Sequence, residues 1–183
     1  MQLNCEEISP NMSSNTSASI TLTSFLADFK SVTKMGLSIS VVFSSLAGYL
    51  LAAGTVNFQV LALLAIGGYF MVGASNVFNQ IIEQDLDALM DRTKNRPIPA
   101  GRMSVTYAFV LAVILTVAGL SILYSINERT AMFGAISICL YTSAYTPLKT
   151  KTPLSVFVGA IPGAIPFMLG WVAATGKFGI EAG

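Results

Sequence analysis

The sequence contains no histidine. That excludes histidine general bases, Ser-His-Asp triads and histidine-ligated zinc or haem. Charge is scarce as well, at 10% of 183 residues. The net charge of +1 gives bulk electrostatics no reason to invoke a nucleic-acid partner. Two cysteines, Cys5 and Cys139, lie far apart, one in a polar segment and one in an apolar run. Neither a disulfide nor a metal clip is indicated.

What is plentiful is apolar surface. Hydrophobic residues make up 54% of the chain, and the mean hydropathy is +0.69. Several runs reach the roughly 20 residues that cross about 30 Å of hydrocarbon. The alternating segments of a membrane β-barrel are not visible. The expected class is therefore all-α, a polytopic transmembrane helix bundle whose solvent is the lipid bilayer.

Residues 1–23 are rich in Ser, Thr and Asn and are expected to form a disordered or loosely attached tail. They lack the basic start and apolar core of a signal peptide. The remainder, 24–183, reads as one transmembrane domain. Phe25 to Lys34 is amphipathic and suits the membrane interface. Five spans are expected, at about Met35–Ala53, Phe58–Ile82, Val105–Ile126, Thr130–Tyr145 and Leu154–Ala174. The second is expected to continue as a polar helix towards Met90. Lys30, Lys34, Arg92, Lys94, Arg96, Arg102, Lys149 and Lys151 fall on one side, against Arg129 and Lys177 on the other. The positive-inside rule makes the first side cytoplasmic.

On that side lies the most informative stretch, Asn76 to Arg102, NVFNQIIEQDLDALMDRTKNRPIPAGR. It holds eight of the nineteen charged residues: Glu83, Asp85, Asp87, Asp91, Arg92, Lys94, Arg96 and Arg102. Charge where an apolar helix meets water is costly and marks a candidate functional site. Asn79, Glu83 and Asp87 are four apart and share one helix face, with Asn76 extending it inward and Asp91 outward. Clustered carboxylates without Cys or His suit a hard cation, and Mg²⁺ is the usual choice when phosphates complete the shell. Arg92, Lys94, Arg96 and Arg102 are placed to bind the outer oxygens of such a phosphate, and Lys149 and Lys151 reach it from a second loop. The combination describes removal of diphosphate from an allylic substrate, with an apolar, aromatic-walled pocket for the carbocation. Two other readings fit the same pattern: a solvated helix end with ordinary positive-inside residues, and an ion-holding transport or scaffold protein.

As a whole, the stretch resembles the first Asp-rich motif of the UbiA superfamily of intramembrane prenyltransferases, Asn-x-x-x-Asp-x-x-x-Asp followed by Arg-Thr-x-x-Arg-Pro. Here it reads Asn79, Glu83, Asp87, then Arg92-Thr93-Lys94-Asn95-Arg96-Pro97. The runs DLDALMDRTKNRPIPAGRMS and YTPLKTKTPLSVFVGAIPGAIPFMLGWVAATG are most similar to the protohaem IX farnesyltransferase branch. The resemblance implies about nine helices around a central cavity. It implies transfer of a farnesyl group from farnesyl diphosphate to a vinyl group of haem B, assisted by Mg²⁺ and giving haem O. A related branch would use an aromatic acceptor such as 4-hydroxybenzoate. Carried over by position, Asn79, Glu83 and Asp87 hold Mg²⁺ and diphosphate and are the catalytic set, with Asp91 a further metal candidate. Arg92, Arg96, Lys149 and Lys151 contact the diphosphate. Glu83 stands where the family has Asp. The family also has a second acidic motif, whereas beyond Asp91 this chain has only Glu128 and Glu181 as acids. The resemblance thus matches the N-terminal part of such an enzyme.

Among the remaining signals, Tyr141 and Tyr145 suit either the interfacial aromatic belt or the wall of the cation pocket. Pro162 and Pro166 lie inside the fifth span, where they kink it and open space for a ligand or simply for packing.

Overall fold

Apolar runs that must satisfy their own backbone hydrogen bonds in lipid can only become helices here. The computed structural model describes residues 22–148 and 155–179, and every regular element among them is helical. The polar tail before Leu22, Cys5, Lys149 and Lys151 all lie outside the described residues.

Helix α1 (Leu22–Val32) turns at Thr33 and Lys34 into α2 (Met35–Ala52). Helix α3 (Phe58–Ile82) follows, then the short α4 (Gln84–Leu89), α5 (Val105–Tyr124) and α6 (Glu128–Cys139). The chain continues as a π-helix over Leu140–Tyr145, one further turn α7 (Thr146–Leu148), and α8 (Ser155–Thr175). By length and composition α2, α3 and α5 each suffice to cross a membrane, and α8 is apolar throughout Gly159–Thr175. The fourth expected span is composite: α6 widens into the π-helix rather than running on.

Polar side chains set the helix starts. The Asn57 carboxamide oxygen accepts from the backbone N–H of Gln59, 2.9 Å, and of Val60, 3.4 Å. Ser104 Oγ accepts from Tyr107 N–H and Asn127 Oδ1 from Thr130 N–H, so α5 and α6 are capped in the same way. After α4, Gly101 takes a left-handed φ of 71° that closes the Pro-rich turn before Ser104.

Helix α3 is the pivot, contacting α2, α5, α6 and α8. Leu64, Met71, Leu115, Leu123, Ile138 and Leu169 join these helices in one buried cluster. Helices α2 and α8 meet backbone to backbone. A Cβ on Gly48 would stand 2.2 Å from the Phe167 carbonyl oxygen, and one on Gly170 1.9 Å from that of Ser45. Only glycine permits this approach from each side. Outward, Phe43, Leu51, Phe58, Ile114 and Val117 are exposed, the surface a bilayer covers. The chain is a multi-pass helical membrane protein.

Candidate active site

The site is built where α3 ends. Glu83 takes φ −95° and ψ 8°, outside the helical region, and the polar continuation expected towards Met90 becomes the separate α4. The ladder bridges the break: Glu83 N–H donates to Asn79 O, and Asp87 N–H to Glu83 O at 2.8 Å. The bend keeps Asn79, Glu83 and Asp87 together while turning the chain out of the membrane.

All three side chains are buried, at 2%, 6% and 4% exposure. Ionised groups persist in such places only when partnered. Asn79 Nδ2 donates to Glu83 Oε2 at 3.0 Å. Arg96 donates through Nη1 to Asp87 Oδ2. Thr93 Oγ1 donates to Asp87 O at 2.9 Å and ties the basic turn beneath the acid.

Glu83, Asp87, Arg92 and Arg96 line one cavity of about 320 Å³, together with Lys34 and Thr93. Asp91 is not on that wall. Its carboxylate is exposed and pairs with Lys94 at 2.7 Å. Arg102 turns away too, donating to Asp28 at 3.1 Å and to Asn95 O at 2.9 Å. Asn76 points elsewhere than the face it was expected to extend: its Nδ2 donates to Thr33 O at 3.2 Å. The structure thus brings together Asn79, Glu83, Asp87, Arg92 and Arg96.

Two residues outside the sequence reasoning belong with them. Thr146 is buried; its Oγ1 lies 3.2 Å from Asn79 Oδ1 and 2.9 Å from Tyr141 O. Its single hydroxyl proton is shared between these two acceptors, beside the Asn79 carbonyl, while the amide nitrogen faces Glu83. No local pattern signals this contact, which links positions 67 apart. Lys34 is the second. Its sequence neighbourhood reads as a membrane interface, and only the fold carries it to the carboxylates.

Two turns inward along α3, a second cavity of about 560 Å³ is lined by Asn76, Ser75, Tyr141, Tyr145, Pro162 and Pro166, among others. The two tyrosine rings lie 5.3 Å apart. They come from the π-helix, whose wider turn is frequent at functional sites. Of the two readings of these tyrosines, the structure favours the pocket wall. Gly159 makes room for them: a Cβ there would lie 2.6 Å from the Tyr145 ring.

The donor set of the outer cavity is oxygen only. Mg²⁺ takes one or two carboxylates and leaves the rest of its shell to water and phosphate, which Glu83 and Asp87 match, with Asn79 hydrogen-bonded to Glu83. Among the described residues no three acidic groups cluster as a metal site by themselves.

Known proteins resemble the chain over most of its length. The family model described as "UbiA prenyltransferase family" matches residues 41–183. The protoheme IX farnesyltransferase of Christiangramia forsetii is 71% identical over 170 residues, covering 93% of this chain and 57% of that protein. The protein of the same name from Flavobacterium psychrophilum is 72% identical over 163 residues, covering 87% of this chain and 54% of its own length. The chain therefore spans a little over half the length of these relatives. A UbiA homologue from Archaeoglobus fulgidus, solved with GPP and Mg²⁺, shares the fold at a TM-score of 0.73 and 17% identity, covering 84% of this chain and 56% of that one.

Proposed function

The chain belongs to the UbiA prenyltransferase family, and on that premise we propose that it carries the diphosphate-handling half of a protohaem IX farnesyltransferase. The reaction is transfer of the farnesyl group of farnesyl diphosphate to a vinyl group of haem B, giving haem O. The observation that carries this reading is the acid–base cavity. Buried Glu83 and Asp87 share its wall with Arg92 and Arg96, and a tyrosine-lined apolar cavity lies just inward. The names of relatives at 71% and 72% identity supply the prenyl donor and the acceptor.

Each part follows from its chemistry. Asn79, Glu83 and Asp87 would hold Mg²⁺, which when bound would offset charge on the diphosphate. Arg92 and Arg96 grip the outer phosphate oxygens by charge-assisted hydrogen bonds, with Lys149 and Lys151 proposed to join them. Thr146 fixes the Asn79 amide, so that its orientation is set before substrate arrives. Tyr141 and Tyr145 present ring faces to the allylic cation, and the apolar wall keeps water from it. Haem B binds as the acceptor substrate, through its face and its propionates. In this reading the protein belongs to the inner membrane with its active-site loops cytoplasmic, a sidedness that the Lys and Arg distribution supports.

The test is turnover in membranes containing the protein, supplied with labelled farnesyl diphosphate, haem B and Mg²⁺. Label is expected in haem O and lost when EDTA removes the metal. Label appearing only in an added 4-hydroxybenzoate would overturn the acceptor assignment.

A further inference from the structure

Lys34 is the only non-glycine residue with positive φ among the described residues, at φ 47° and ψ 57°. A lysine gains nothing intrinsic from the left-handed region, which costs about 1–2 kcal/mol for a residue with a Cβ. Such a conformation persists only where the surroundings over-determine it, and it is concentrated at functional sites. Here the surroundings are identifiable. The two carbonyls just before Lys34 are each taken by a buried amide of α3: Gln80 Nε2 donates to Val32 O at 2.9 Å, and Asn76 Nδ2 to Thr33 O at 3.2 Å. Ser38 Oγ closes the same turn on Thr33 O at 2.8 Å. Val32, Thr33, Asn76 and Gln80 are all fully or almost fully buried.

The elbow between α1 and α2 is therefore bolted to the helix that carries Asn79 and Glu83. Beyond the bolt, Lys34 emerges half-buried on the wall of the cavity that holds Glu83, Asp87, Arg92 and Arg96. The cations on that wall are not equivalent. Arg96 is engaged with Asp87 and serves partly to hold that acid in place. Arg92 stands on the exposed turn. Of these cations, Lys34 alone stands on a different element from the Asp-rich motif, at the junction of α1 and α2.

We propose that Lys34 is a further diphosphate-binding residue, and that the strained, amide-latched elbow exists to position it. The inference rests on the diphosphate reading of the cavity. A compact ammonium with three donors is suited to meet phosphate oxygens from a direction that the guanidinium groups of one turn do not cover.

The decisive measurement uses inorganic diphosphate as competitor of Mg²⁺-dependent binding of labelled farnesyl diphosphate, with the protein in lipid nanodiscs. Lys34→Gly keeps the left-handed backbone and removes the charge. It is expected to weaken inorganic diphosphate about ten- to a hundredfold, the scale of one charge-assisted hydrogen bond. Lys34→Arg is expected to stay within several-fold of the parent. Gln80→Met, which releases the latch, is expected to weaken diphosphate too, and to add little once Lys34→Gly is present, because both act through one ammonium. Unchanged affinity in Lys34→Gly would overturn the inference and leave the diphosphate reading standing. Equal losses in Lys34→Gly and Lys34→Arg would overturn it as well, since charge would then not be what matters. A parent protein that shows no Mg²⁺-dependent diphosphate binding would refute the underlying reading itself.

Discussion

Asp87 lies under two constraints at once, because the carboxylate that faces the cavity is also the partner of Arg96. Removing it takes away a proposed ligand and leaves the half-buried Arg96 guanidinium without its carboxylate partner. Asp87→Ala is expected to abolish Mg²⁺-dependent farnesyl diphosphate binding, read by equilibrium binding in nanodiscs. Unaltered binding would count against the site. Thr146 makes a subtler case. Thr146→Val keeps the shape but deletes the hydroxyl beside Asn79 Oδ1. A loss of about 1–3 kcal/mol in stability is expected, from leaving a buried carbonyl without its donor. The metal requirement should shift to higher Mg²⁺, and Thr146→Ser should restore both. These residue-level features differ in how legible they are from sequence. The four-residue spacing of Asn79, Glu83 and Asp87 is visible in one dimension because a helix converts spacing directly into a shared face. The Thr146 contact and the arrival of Lys34 are not visible, because each depends on how separate helices dock.

At the scale of elements, hydropathy locates the helices closely. The starts at Met35, Phe58 and Val105 coincide with the expected ones, since an apolar run entering lipid has little choice of structure. Two departures are informative: the break at Glu83 and the π-helix at Leu140–Tyr145. The first has no proline or glycine to announce it, whereas Pro147 stands just past the π-helix and has no N–H to donate to Ser143 O within it. The break is held by local bonds, Asn79 to Glu83 and Thr93 to Asp87 O, and the π-helix by Thr146, which bonds Tyr141 O and reaches across to Asn79. The α2–α8 seam yields a sharp prediction. Gly170→Ala would drive a methyl into the Ser45 carbonyl, where backbone rather than a flexible side chain must yield. A destabilisation of about 1–3 kcal/mol or more is expected, measured as a lowered melting temperature in detergent. Gly159→Ala meets only the Tyr145 ring, which can rotate. That variant should fold normally but reshape the tyrosine-lined cavity and slow turnover.

At the scale of the whole molecule, the distribution of Lys and Arg fixes a prediction about sidedness. In a background with Cys5 and Cys139 replaced by Ala, cysteines introduced at Asn95 and at Glu128 should be labelled by a membrane-impermeant maleimide from opposite faces of the membrane. Asn95 should react from the cytoplasmic face. Labelling of both from the same face would overturn the orientation and, with it, the compartment from which diphosphate enters.

The glycine seam also bears on when the protein becomes competent. Helix α2 is among the first segments to leave the ribosome and α8 is the last of the described helices to do so, yet each is the other's closest backbone neighbour. During synthesis the flank of α2 around Ser45 and Gly48 must wait, facing lipid, while α3, α5 and α6 are made. Contacts between distant segments of chain are slow to form and leave intermediates exposed in the meantime. The tyrosine-lined cavity, one wall of which is α8, therefore gains that wall only after α2, α3, α5 and α6 have been made. A seam variant would then be cleared by membrane quality control as an unfinished bundle, and its deficit would show in cellular abundance before it showed in the catalytic rate of the molecules that survive.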